Sequence, residues 1–217
     1  MIKSFFTTLS YIFHPLFLPL FGLYFLFAMP SLTPGLIEKS LYAIDQDIKT
    51  AIFLIFATLM VLAPGISILI MYWSKVIESI TMENRTERIY AISTVLMYTI
   101  FCYVYLRELV GDQPHYSSLL AYTFGCLLVV LSCLLFNFYI KISLHAAGIF
   151  AVSGALIGYF NTQANFNLPF LLILIIVSGL VCAGRIFLKA HSNKEVLLGM
   201  VVGFTISFFC MKFEWFL

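Results

Sequence analysis

Apolar residues in this chain come in long, nearly unbroken runs, with neither the three-and-four spacing of a surface helix nor the alternation of a half-buried strand. About 20 mainly apolar residues are needed to cross roughly 30 Å of hydrocarbon. Seven stretches meet or nearly meet that length: about 5–29, 50–73, 89–110, 116–139, 144–160, 167–188 and 195–215. No alternation recurs at barrel spacing, so helices are what satisfies the backbone in lipid. The first stretch contains His14-Pro15 and Pro19. Each proline removes an amide and bends a helix, which predicts a kinked, discontinuous or partly re-entrant element. The fifth stretch is short, as suits a helix that begins below the membrane surface. Residues 30–49 read as a linker with Pro30, Pro34 and a run of charges, holding a short interfacial helix.

Composition agrees with the pattern. The 217 residues are 62% hydrophobic and 10% charged, where soluble domains carry roughly a quarter charged residues. The mean hydropathy is +1.04. The fold class expected is all-α: a polytopic transmembrane helical bundle of six to seven spans, forming one domain over 1–217 with its motif-bearing core over about 74–215. A net charge of +2 is too small and too dispersed for a nucleic-acid partner. The five cysteines lie in apolar runs without a CxxC pair, which excludes a disulfide scaffold. Lys3 and the long apolar stretch after it lack a small-residue cleavage site and read as a retained first span.

Parity brings distant charges together. The segments after the second, fourth and sixth stretches emerge on one face. They carry Arg85 and Arg88, then Lys141, Ser143 and His145, then Arg185, Lys189, His191, Lys194 and Glu195. Cations converging beside two histidines at the lip of a bundle suit a phosphate monoester or anhydride. His191 and Glu195 are four apart at a helix start and share a face. A carboxylate on one ring nitrogen fixes the tautomer and frees the other to attack. Arg185 ends the preceding helix, where its guanidinium can clamp a phosphate. Ser143 and His145 open the fifth span, where free amides and a hydroxyl favour an anion and an imidazole can protonate a leaving oxygen. Arg85 and Arg88 stand one turn apart before the third span. Each cluster alone also fits a plain role, as a snorkelling interfacial loop, a buried histidine or a positive flank.

Taken together, the clusters resemble the type 2 phosphatidic acid phosphatase superfamily, whose motifs run K-x6-R-P, P-S-G-H and S-R-x5-H-x3-D. Arg185, His191 and Glu195 keep the spacing of the third motif, Ser143 and His145 fall on the second, and Arg88 falls on the arginine of the first. The departures are Thr81 for lysine, Ile89 for proline, Ile142 and Leu144 for proline and glycine, Gly184 for serine and Glu195 for aspartate. Arg85 or Lys75 would then supply the missing charge. The resemblance implies a metal-free, cofactor-free lipid phosphatase. In it His191 attacks phosphorus, Glu195 orients it, Arg88, Arg185 and Ser143 hold the oxygens, and His145 exchanges the proton.

The substrates implied are lipid phosphates such as phosphatidic acid, phosphatidylglycerol phosphate, undecaprenyl pyrophosphate or the phosphates of lipid A. The competing class is a non-catalytic binding or transport protein for phospholipid or polyprenyl phosphate on the same fold. The motif face carries eight Lys/Arg and the other face four, which by charge counting suggests a cytoplasmic site. The resemblance points instead to the periplasmic face of a bacterial inner membrane. His14 and His115 are left outside the site by this reading.

Overall fold

The computed structural model describes residues 1–30, 40–79, 84–111, 113–163 and 167–216, and among these every regular element is helical. Two short helices come first, α1 (Ile2–Ile12) and α2 (Leu18–Ala28). Six helices long and apolar enough to span a membrane follow: α3 (Gln46–Trp73), α4 (Arg85–Val110), α5 (Ser117–Asn137), α6 (Leu144–Thr162), α7 (Leu168–Phe187) and α8 (Asn193–Lys212). The chain is an integral membrane protein built as a polytopic helical bundle.

The expected break in the first stretch falls at His14-Pro15. Pro15 disfavours a helical His14, and α2 restarts with Pro19 inside its first turn, where a missing amide costs nothing. At 11 residues each, α1 and α2 are too short to span singly. A second irregularity, the π-helical turn Ala57–Leu62 inside α3, stands just before Pro64. The wider turn accommodates an amide that proline lacks. Of the expected linker helix, residues 31–39 lie outside the described residues; a 3-10 turn, Leu41–Ala43, precedes α3.

Helices α6 and α8 form the tightest seam. A Cβ on Gly199 would stand 2.7 Å from the Ser143 carbonyl oxygen, and one on Gly203 would meet the Ala147 carbonyl. Further along, Gly154 faces the Phe204 carbonyl and Gly158 the Phe208 carbonyl. Residue numbers rise together on both sides, so the two helices run parallel and begin at the same end. Small residues let backbones approach where lipid supplies no hydrophobic drive for helix association. Leu18, Leu23 and Leu26 of α2 are buried in the main apolar cluster with Ile149, Val152 and Leu156 of α6. At the far end the Tyr159 hydroxyl accepts from the Leu41 amide at 3.0 Å.

Candidate active site

A cavity of about 590 Å³ opens where α4 and α6 begin and α7 ends. Its polar lining is His14, Arg88, Lys141, His145, Arg185, Lys189 and His191, and its walls run into the bundle to Met60, Thr99, Tyr122 and Ser207.

The turn between α7 and α8 sets the distance between Arg185 and His191. Leu188 closes α7, and Lys189 takes a left-handed backbone with φ of 55°. The chain then doubles back, so the Arg185 carbonyl accepts from the amides of Ala190 at 3.1 Å and His191 at 3.3 Å. Ser192 caps α8, and Glu195 completes a capping box by accepting from the Ser192 amide at 3.0 Å. The same oxygen, Oε2, lies 3.0 Å from His191 Nδ1. The Lys141 carbonyl is also 3.2 Å from Nδ1. Carbonyl and carboxylate oxygens only accept, so Nδ1 carries the proton and Nε2 has the lone pair. Burial disfavours the imidazolium and pulls the His191 pKa below its ordinary value of 6.5; the Glu195 hydrogen bond opposes this, and Arg88 and Arg185 add to the lowering. His191 is thus a neutral imidazole at neutral pH, oriented through Nδ1.

Arg88, 5% exposed, donates from Nη2 to the Ile142 carbonyl at 2.6 Å. That bond holds the approach to α6 against the start of α4. His145 Nε2 stands 3.2 Å from the Ser10 carbonyl of α1. Arg185 lines the cavity, and its Nε is buried without a hydrogen-bond partner among the described residues. A buried orphan donor in a cationic pocket is what a bound anion would satisfy.

Two of the expected phosphate ligands face elsewhere. Ser143 is fully buried, and its hydroxyl accepts from the Ala146 amide at 3.4 Å as the cap of α6. Arg85 donates through Nη2 to the Asn137 carbonyl at 3.0 Å, and the Asn137 amide returns a bond to the Arg85 carbonyl at 3.3 Å. Neither residue lines the cavity, and neither does Lys75. Lys141 and Lys189 do. Thr81 itself lies outside the described residues, as does Glu83. Leu144 begins a regular helix, so its backbone needs no glycine, and its side chain joins the cavity wall. Gly184 packs under Phe6 of α1, where a Cβ would come within 2.9 Å of the ring. A serine there would require the Phe6 ring to shift.

The sequence reading missed His14. It sits in the break between α1 and α2, lines the cavity, and its ring centroid is 5.8 Å from that of His145. The signal was a histidine before a proline at membrane depth, where ionisable groups are costly and so mark function.

Residues 136–217 match the PAP2 superfamily. The match bears out the resemblance read from the motifs; it spans the second and third of them and stops short of the first. The superfamily is generally one of phosphatases and phosphoesterases, so the match suggests a phosphatase-type activity. No curated protein and no solved structure matches the chain significantly.

Proposed function

We propose that this PAP2-type protein is a membrane lipid phosphatase that hydrolyses a phosphate monoester or pyrophosphate of a lipid through a phosphohistidine. One observation carries the reading: His191 has Nδ1 held by Glu195 and Lys141 while its ring lines the cavity that holds Arg88, Arg185 and His145. In the first half-reaction His191 Nε2 attacks phosphorus, the bond from phosphorus to the lipid oxygen breaks, and His145 gives that oxygen a proton. In the second, water attacks phosphorus, His145 takes the water's proton, and the P–N bond breaks with its electron pair returning to Nε2. Arg88 and Arg185 neutralise the equatorial oxygens. Ser143 and Glu195 act by placing α6 and the His191 ring. No metal or cofactor is required by this chemistry. The apolar depth of the cavity suits the lipid part of a substrate, and the site is assigned to the periplasmic face of a bacterial inner membrane.

The competing reading, a non-catalytic carrier of phospholipid or polyprenyl phosphate, is favoured by Ser143 facing away from the cavity. Phosphate release by detergent-purified protein separates the two. The panel is phosphatidic acid, phosphatidylglycerol phosphate, undecaprenyl pyrophosphate and lipid A, assayed beside His191→Ala and His145→Ala. Release that is lost in both variants is the result expected of a phosphatase. Binding that survives both, with no release, belongs to the carrier.

A further inference from the structure

The hydrogen bonds around His14 and His145 assign their tautomers, and the tautomers are complementary. Leu16 donates its amide to His14 Nδ1 at 3.4 Å, so that nitrogen has the lone pair and the neutral ring bears its proton on Nε2. His145 Nε2 faces the Ser10 carbonyl at 3.2 Å, so there Nε2 bears the proton and Nδ1 the lone pair. The rings stand edge to face, 82° apart with centroids 5.8 Å from each other. The two rings are thus neighbours in the wall of one cavity, a donor nitrogen on one and an acceptor nitrogen on the other. His14 is also held from both sides. Its amide donates to the Tyr11 carbonyl at 3.3 Å and its carbonyl accepts from the Phe17 amide at 2.9 Å.

We propose that His14 is a third imidazole of the site, donating from Nε2 to the oxygen that exchanges its proton with His145. This rests on the phosphatase reading above. In the first half-reaction that oxygen is the leaving oxygen of the lipid. By microscopic reversibility the attacking water takes the same place in the second. His14 keeps its own proton throughout, holding the oxygen. His145 enters the first half-reaction protonated on both nitrogens and gives the Nδ1 proton to the leaving oxygen; in the second, as the neutral tautomer above, its Nδ1 takes a proton from water. Burial, and then the charge of Arg185, hold the His14 pKa below the ordinary histidine value, which suits a neutral donor. The break at His14-Pro15 turns the chain from α1 into α2, and it sets this ring at the cavity wall.

The test needs no knowledge of the lipid. An enzyme that forms a phosphohistidine reversibly from inorganic phosphate exchanges the oxygens of ¹⁸O-labelled phosphate with water. The detergent-purified protein is assayed for that exchange, with phosphate affinity measured alongside. A glutamine amide nitrogen reaches where histidine Nε2 sits, whereas an asparagine amide nitrogen reaches only Nδ1. His14→Gln is expected to exchange within a few-fold of wild type. His14→Asn is expected to exchange about 10²-fold more slowly at similar phosphate affinity. Equal rates in both variants, high or low, overturn the assignment of His14. A wild type that does not exchange, or a His191→Ala variant that exchanges as fast, instead overturns the phosphatase reading itself.

Discussion

His191 Nδ1 lies 3.2 Å from the carbonyl oxygen of Lys141, a residue 50 positions earlier in the chain. That contact ties the α7–α8 turn to the α5–α6 connection, as does the Ser143 amide donating to the Glu195 carbonyl at 3.2 Å, so the two later motifs are joined by hydrogen bonds as well as by one cavity. Glu195 is the second acceptor on the same nitrogen, at 3.0 Å.

Because the Lys141 carbonyl remains, Glu195→Gln should weaken the orientation of His191 without abolishing it. The expected loss in kcat is about 10- to 100-fold. The Glu195 hydrogen bond and charge both raise the His191 pKa, so the variant's acid limb in kcat/KM should move to lower pH than in wild type. The wild-type limb itself should lie below 6.5, the ordinary histidine value, since burial keeps the ring neutral. A limb that moves upward in the variant would contradict the assigned hydrogen bond.

The same lowered pKa affects stability. Above 6.5 the ring is neutral whether the protein is folded or unfolded. As pH falls below that value the unfolded chain takes up the proton first, and stability is lost toward the folded pKa. His191→Gln should therefore flatten the acid side of the stability profile, read as thermal midpoint against pH in detergent.

Arg185 and Arg85 should separate cleanly. Arg185→Ala removes a cavity cation with an unpartnered buried Nε and should cost about 10²-fold in kcat/KM. Arg185→Lys should recover part of that, since lysine offers a point charge without the planar fork. Arg85→Ala breaks the bond to the Asn137 carbonyl and should lower the thermal midpoint while changing phosphate inhibition less than the Arg185 variants do. Equal effects on inhibition would place Arg85 in the site after all.

Gly203→Val forces a side chain into the Ala147 carbonyl. Overpacking of this kind costs about 1–3 kcal/mol, measurable as a lower unfolding midpoint. Activity should fall further than stability, since His145 and Glu195 lie on the two helices that must part.

The side of the membrane is accessible to labelling. The five native cysteines are buried or partly buried, and Asn193 is exposed. Asn193→Cys should react with an impermeant thiol reagent in cells whose outer membrane alone is permeabilised. Protection until the inner membrane is lysed would put the site on the cytoplasmic side.

Much of this was legible in the sequence. Six of the seven apolar runs are spanning helices, while the first, 5–29, is two helices too short to span singly, and parity put His145, Arg185 and His191 on one face without any knowledge of contacts. The Ser192-x-x-Glu195 capping box and the two Gly-x3-Gly repeats, 154–158 and 199–203, were also there to be read and were passed over. The destination of Arg85 was not readable. A guanidinium one turn from Arg88 can reach a phosphate or a helix end, and only the packing of α4 against α5 decides between them. His14 was hidden for a different reason: it belongs to no motif, and its ring meets His145 across 131 residues of chain through a backbone break whose direction no periodicity encodes.

The parallel course of α6 and α8 has an electrostatic consequence. Adjacent helices in a bundle usually alternate, and their macrodipoles cancel. Here two helices start side by side at the cavity, so the positive ends of both point the same way, each equivalent to about half an elementary charge. That field comes from the backbone and survives the loss of any side chain. It draws an anion toward the mouth and resists protonation of His191, even before a guanidinium is placed beside it.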